Sequence, residues 1–264
     1  MNSSEKKMVD ALIDLKENHH IIGVKAEFEA EGTNMQEAIK LKEIVTQAGL
    51  ELTIKIGGCE ALKDLYDVKT LGAKAIVAPM IESTYALKKF IKAVNSVFSE
   101  EELDKINLFI NIETITGFKC FEEIMNIEQA KTLKGIIFGR VDMSGSLDLE
   151  REEVNSQKML DFALKLAESS KKNNKEFIVG GGVSSLSIPF FKSLSNIHLS
   201  GFETRKIIFD AQKSIQDQSI FSGINKAIDF EIMWLQNKKE INGYNNNTDE
   251  KRLLLLEKMI TCRN

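Results

Sequence analysis

The chain has 264 residues, 43% of them hydrophobic, which suffices for one sizeable core and matches the usual length of a single α/β barrel. Its formal charge is -4 with acids and bases interspersed, so it carries no electrostatic footprint for nucleic acid or anionic lipid. Cys59, Cys120 and Cys262 lie too far apart for a zinc spacing, and their odd number argues against a disulfide framework. No apolar run approaches membrane-spanning length, and the polar start of the chain lacks a signal-peptide apolar region. These features predict a protein of the reducing cytoplasm with no nucleic-acid and no membrane partner.

A helix is predicted over 5–17, with Met8, Leu12 and Leu15 on one face. Strand and helix then alternate. The first strand covers 21–28 and is followed by a helix at 34–48. The second, 52–56, precedes a helix at 59–71, and the third, 75–80, a helix at 85–98. The fourth, 108–113, leads to a short helix near 118–130, and the fifth, 135–139, to a long one over 151–172. The sixth, 177–180, is followed by a helix at 184–194, and 197–200 and 206–209 read as strands seven and eight. Regular alternation means parallel strands joined by right-handed crossovers, which favours a TIM-type (β/α)₈ barrel with extra C-terminal helices. An open doubly wound sheet is the alternative, because little chain separates the last two strands. The barrel domain is predicted to span 1–218 and a helical extension 219–264. That extension holds an amphipathic helix over 220–240, a polar linker over 242–249 and a last helix over 249–262 rich in leucine. Such a helix docks on its own barrel or on a neighbouring subunit; the reading taken is packing in a homo-oligomer.

Two acids close adjacent apolar strands: Glu113 after Phe109, Ile110, Asn111 and Ile112, and Asp142 after Ile136, Ile137, Phe138, Gly139, Arg140 and Val141. In a parallel barrel both emerge at the C-terminal rim, where such folds do chemistry. One strand-end acid alone serves equally as a helix cap; two hard oxygen ligands facing one pocket suit Mg²⁺ or Mn²⁺. At the first strand end, alternation puts Lys25, Glu27 and Glu29 on one side, making Glu27 or Glu29 a candidate base or supporting partner, against the alternative of a solvated loop. Lys55, flanked by isoleucines, points into a barrel and either binds an anionic substrate or forms a Schiff base, and binding is the preferred reading. Gly57 and Gly58 allow close backbone approach to a ligand. Gly180, Gly181 and Gly182 precede a helix and leave backbone N–H groups for an anion, a weak signal alone. His19 and His20 lie before the first strand, at the wrong end for the active rim, and read as surface residues. No catalytic triad, dinucleotide fingerprint or P-loop is present.

Together these motifs resemble the metal-dependent aldolase and citrate lyase β-subunit family of the phosphoenolpyruvate/pyruvate barrel superfamily. The resemblance is strongest over 52–148. It rests on the stretch from Val77 through Pro79 to Glu82, on Asn111-Ile112-Glu113-Thr114, and on Gly139-Arg140-Val141-Asp142-Met143-Ser144. It implies that Glu113 and Asp142 hold a divalent ion and that the substrate is pyruvate or a related 2-oxo acid, with sugar acids included; Gly57, Gly58, Arg140, Gly181 and Gly182 are the residues expected to contact it. The reaction implied is carbon–carbon cleavage or formation through a stabilised enolate. Three departures accompany the resemblance. Lys55 stands where the family usually has arginine, Glu27-Phe28-Glu29 lacks the family's histidine, and the ligand strands count fourth and fifth instead of fifth and sixth. A Schiff-base aldolase using Lys55 and a non-catalytic ligand-binding barrel are the alternatives, and no feature for holding coenzyme A is apparent.

Overall fold

The structure, a computed structural model, describes residues 1–242 and 247–261. Eight strands close one barrel in sequence order: β1 (Ile21–Glu27), β2 (Glu51–Lys55), β3 (Ala75–Ala78), β4 (Asn107–Ile112), β5 (Gly135–Gly139), β6 (Glu176–Gly180), β7 (Gly201–Glu203) and β8 (Ile207–Asp210). The helices are α1 (Ser3–His19), α2 (Met35–Gln47), α3 (Leu62–Leu71), α4 (Thr84–Val97), α5 (Glu100–Leu103), α6 (Ile115–Met125), α7 (Arg140–Ser146), α8 (Gln157–Lys172), α9 (Ile188–Ser195), α10 (Ala211–Gln216), α11 (Ile220–Asn242) and α12 (Asn247–Thr261). The TIM-type α/β barrel with C-terminal helices is therefore the architecture. Glu113 follows β4 and Asp142 lies just beyond β5, so the count along the chain holds.

Three details differ from expectation. β1 to β7 pair in parallel, but β8 runs antiparallel to both β7 and β1. Only residues 204–206 join β7 to β8, whereas a parallel crossover takes about a dozen residues or more, so the chain makes a hairpin. The seventh strand is Gly201–Glu203, displaced from 197–200, and the predicted helix over 151–172 begins instead as a 3-10 turn, Arg151–Asn155. His19 is buried rather than surface-lying, both ring nitrogens lacking hydrogen-bond partners among the described residues.

Local chemistry fixes the helix starts that set the rim. Asn34 and Glu37 make a reciprocal capping box at α2, and Ser83 and Thr114 cap α4 and α6 through their hydroxyls. The main core lies between the strands and the helix ring. A small separate cluster of Ala75, Val77, Phe109, Ile137 and Ile178 fills the lower barrel interior. Period-two alternation then carries β4 from Phe109 upward to buried Asn111 and to Glu113. The interior is thus apolar below and charged above.

Because β8 descends, the chain leaves it at the bottom of the barrel. α11 starts there, where Ser219 donates to the Asn18 carbonyl at 3.1 Å, and climbs beside α1 to the rim, where Asn242 meets Glu37 at 2.6 Å. α12 then lies over the mouth of its own barrel. Arg252 of α12 grips buried Glu231 of α11 with two bonds of 2.6 and 2.8 Å, Asp249 pairs with Lys238 at 2.9 Å, and Leu256 is fully buried. Of the predicted linker over 242–249, residues 243–246 lie outside the described residues, as does Cys262. No helix among the described residues is long and apolar enough to cross a membrane.

Candidate active site

A cavity of about 630 Å³ opens at the C-terminal ends of the strands and is roofed by α12. Lys25, Glu27, Glu29, Lys55, Glu113 and Asp142 all border it. The Glu113 carboxylate is fixed from three sides. Its Oε1 accepts the Met80 backbone N–H at 3.0 Å, and its Oε2 accepts Asn111 Nδ2 at 2.7 Å and Lys55 Nζ at 3.3 Å. Gly139 on the neighbouring strand makes this possible, since a Cβ there would sit 2.7 Å from Glu113 Oε2 and 2.8 Å from its Cβ. Lys55 also reaches Glu29 at 2.8 Å. Burial alone would lower the Lys55 ammonium, but Glu113 and Glu27 more than offset it and hold it above the ordinary lysine value.

The remaining rim charges are largely paired. Lys25 bridges Glu203 of β7 and, at 3.0 Å, Glu27. In the β7–β8 turn, Arg205 lies 3.4 Å from Glu31 and 3.7 Å from Glu27, and buried Lys206 pairs with Glu31. Burial alone would raise the Glu27 carboxyl, but Lys25, Lys55 and Arg205 pull it down to about 2. Asp142, by contrast, makes no ion pair among the described residues. Burial and the neighbouring Glu113 carboxylate push it up to about 6.

Among the residues predicted from sequence, Gly181 and Gly182 also border the cavity. Gly181 has φ +81°, and a Cβ there would meet Val141 N at 2.7 Å and Arg140 N at 2.8 Å, so this loop packs directly on the backbone that delivers Asp142. Gly57 and Gly58 do not border it, and the Gly57 N–H donates to Asp64 at 2.7 Å. Arg140 turns away altogether. It is fully buried, donates to the carbonyls of Gly180 and Val154, to Asn155 Oδ1 and to Ser187 Oγ, and stacks on Phe190. The expectation that Arg140 contacts substrate is therefore corrected. It is the first residue of α7, and its guanidinium clamps the loops behind the site.

The donor set fits a hard divalent ion. Glu113 lies close enough to disfavour the charge on Asp142, and buried Asn111 Oδ1 has no hydrogen-bond partner among the described residues, leaving a neutral oxygen beside Glu113. No cluster of three or more His, Cys, Asp or Glu side chains among the described residues forms a complete protein cage. Any ion held by Glu113 and Asp142 would therefore take its remaining ligands from water and substrate.

Residues 25–192, well over half of the chain, match the family model described as HpcH/HpaI aldolase/citrate lyase. The chain belongs to the HpcH/HpaI aldolase/citrate lyase family. Its fold is shared with the HpcH/HpaI aldolase from Desulfitobacterium hafniense, at 12% identity and TM-score 0.59, covering 90% of this chain and 91% of that one. Citrate synthase SbnG gives 14% identity and TM-score 0.58, with 81% and 86% covered. A family protein from Burkholderia cenocepacia gives 11% and 0.58, with 77% and 93% covered. No curated protein matches the chain significantly. The residues matched to the HpcH/HpaI family end before β7, so the hairpin turn and α12 are walls that the family match does not include.

Several cavity residues were not singled out from sequence. Asn111 lies two residues before Glu113 on one strand, so alternation alone puts it on the same face. Glu203 and Arg205 sit in a charged run between two apolar segments, the mark of a rim turn. Arg252 carries no such signal, because nothing local says where its helix docks.

Proposed function

We propose that the protein is a divalent-metal-dependent carbon–carbon lyase that cleaves or forms a bond to pyruvate or a related 2-oxo acid, sugar acids included, through an enolate. The observation that carries this reading is the pairing of Glu113 with Asp142 at adjacent strand ends, beside the Lys55 ammonium. Glu113 and Asp142 would hold Mg²⁺ or Mn²⁺, and such an ion supplies Lewis-acid stabilisation of the developing oxygen charge. Lys55 sets a fixed positive charge on the cavity floor, where it attracts the substrate carboxylate. In the cleavage direction the C3–C4 bond of a 4-hydroxy-2-oxo acid breaks and the C4 hydroxyl loses its proton. The electron pair passes to the C2 carbonyl oxygen, and C3 then takes a proton to give the 2-oxo acid and an aldehyde. Glu29 would accept the hydroxyl proton. It borders the cavity, stays in contact with water and has one cationic partner. Glu27, held at about 2 by its cations, is too weak a base for that task near neutral pH.

A Schiff base at Lys55 requires a neutral amine, and the two carboxylates around Lys55 oppose it. The test is calorimetric titration of metal-free protein with Mg²⁺ and Mn²⁺, with and without oxalate, alongside exchange of the pyruvate methyl protons in D₂O. Binding tightened by oxalate, lost in Glu113→Gln and Asp142→Asn, and accompanied by exchange is expected. Absence of metal binding in the wild type, or exchange that survives in both variants, overturns the proposal.

A further inference from the structure

The foot of the barrel holds a titratable group that the reaction at the rim does not use. His19, the last residue of α1, is 6% exposed, and neither of its ring nitrogens has a hydrogen-bond partner among the described residues. α11 seals it in. A Cβ on Gly223, in the first turn of α11, would lie 3.1 Å from the His19 Cβ and 3.2 Å from its Nδ1, so the missing side chain lets the helix sit this close. Three charged side chains act on the ring: Asp14 on α1, Asp217 at the end of α10, and Lys226 about one turn further along α11. Both carboxylates are committed elsewhere. Asp14 takes Lys226 and, at 2.9 Å, Asn18, while Asp217 takes His20 and the Ser219 N–H, each at 2.8 Å. These contacts hold both acids below the ordinary aspartate value, so they stay ionised in mild acid. Burial first, and then Lys226, hold the His19 ring below the ordinary histidine value of 6.5, more strongly than Asp14, the Ser219 backbone and Asp217 raise it. The end of α1 also favours a positive ring, but a buried imidazolium would carry two N–H donors with no acceptor, which is the larger penalty.

We propose that His19 is an acid switch, whose protonation loosens α11 from α1 and, through α11, the roof over the cavity. The neutral ring tolerates its closed seat. The imidazolium must reach water, and it does so only when the first turn of α11 lifts away. α11 is one continuous helix, and its far half carries Glu231 and Lys238, the residues that hold Arg252 and Asp249 of α12. The opened state binds the proton at the ordinary value and the closed state only below it. Closure is therefore fully favoured above about pH 6.5 and loses ground as pH falls. A closed state that excluded the proton altogether would open about thirtyfold more by pH 5, which sets the ceiling. His20 acts in the opposite sense, since a charged His20 strengthens its contact with Asp217 across the same junction. The switch does not depend on the chemistry assigned to the rim.

Hydrogen exchange of the full chain tests it, read by mass spectrometry at about pH 7.5, 6.5 and 5.0 and corrected for the intrinsic rate of each amide. Wild type, His19→Leu and His19→Gln are compared. In the wild type the opening of 220–231 should rise several-fold from about pH 7.5 to 5.0, with 249–256 following, while β2 to β6 hold steady. Asp142 titrates beside the roof in the same range, so over 249–256 the quantity that counts is the difference between wild type and variants. Both variants should lose the rise, since leucine fills the seat without a charge and glutamine stays neutral at every pH used. A second measurement needs no variant to fold well. The chain has three histidines, so the His19 ring proton is resolved by NMR from those of His20 and His198, and it should titrate below 6.5. A rise of equal size in the variants, a His19 ring that titrates at or above 6.5, or loosening of 220–231 that leaves 249–256 unmoved overturns the proposal.

Discussion

Replacing Gly139 by alanine adds one methyl group at the point where β5 backs the Glu113 carboxylate. The new Cβ would lie 2.7 Å from Oε2 and 2.8 Å from the Glu113 Cβ, both inside contact distance. Glu113 has little freedom to retreat, since the Met80 N–H and Asn111 Nδ2 fix its two oxygens. Relief requires shifting β4 against β5 or breaking those bonds, and overpacking of this kind costs about 1–3 kcal/mol. At about 2–4 °C per kcal/mol for a chain near this size, the melting temperature should fall by roughly 2–12 °C. Gly145 gives the matched control. It lies in α7 with nothing within 4 Å of its would-be Cβ, so Gly145→Ala should be neutral or stabilise by up to about 1 kcal/mol. Urea and thermal melts compare the two, and calorimetry with Mn²⁺ reads the site, where displacement of Glu113 should weaken the ion by about tenfold or more. If Gly139→Ala melts with the wild type and binds Mn²⁺ equally well, the close packing of Glu113 on β5 is not what shapes the site.

Three further outcomes are expected. The folded Glu27 carboxyl, at about 2, binds fewer protons than its unfolded counterpart near 4.5, so its stabilisation is complete above that value and disappears as pH falls towards 2. The stability gap between wild type and Glu27→Gln should therefore be wide at pH 7 and close through that window, and a gap independent of pH would contradict the ion pairing. Lys55→Met should tighten Mg²⁺ several-fold by removing a competing cation from Glu113 while slowing pyruvate exchange, and borohydride with pyruvate should leave no adduct on the wild-type lysine; a trapped adduct on Lys55 would reverse that assignment. Arg252→Met strands buried Glu231 at a cost on the order of 3 kcal/mol, confined to the docking of α12. Amide exchange over 249–256 should accelerate by about a hundredfold while the barrel strands stay protected, and unchanged exchange there would mean the fork does not hold the roof.

Much of the barrel was legible because its local signals agree with one another. β1 to β6 are short apolar runs separated by capped amphipathic helices, and Glu113 and Asp142 stand where two of those runs end. The reversal of β8 was less visible, since an apolar run looks alike in either direction; the three residues before it were the usable sign. Arg140 misled because it directly follows a strand, yet it begins a helix and its side chain leaves by the back. His19 stands beside polar His20 and reads as exposed, but α11 packs over it, with Gly223 against its ring. That contact, like the docking of Arg252 on Glu231, joins segments distant in sequence and leaves no local trace.

The hairpin that ends the barrel also decides when the barrel can exist. β1 is synthesised before the other strands, and its outer edge pairs with β8, with Ile21 opposite Phe209. Until β8 has emerged, the nascent barrel is an open sheet with an unpaired edge at each side, the condition that favours mispairing with other chains. Closure then depends on one small unit, β7 and β8, which forms locally through a three-residue turn and can insert as a preassembled ribbon. Its Phe202 and Phe209 rings already stack across the two strands, 4.7 Å between centroids. A parallel final strand would have had to wait for its crossover helix before it could pair; the reversed one shortens the most exposed stage of folding.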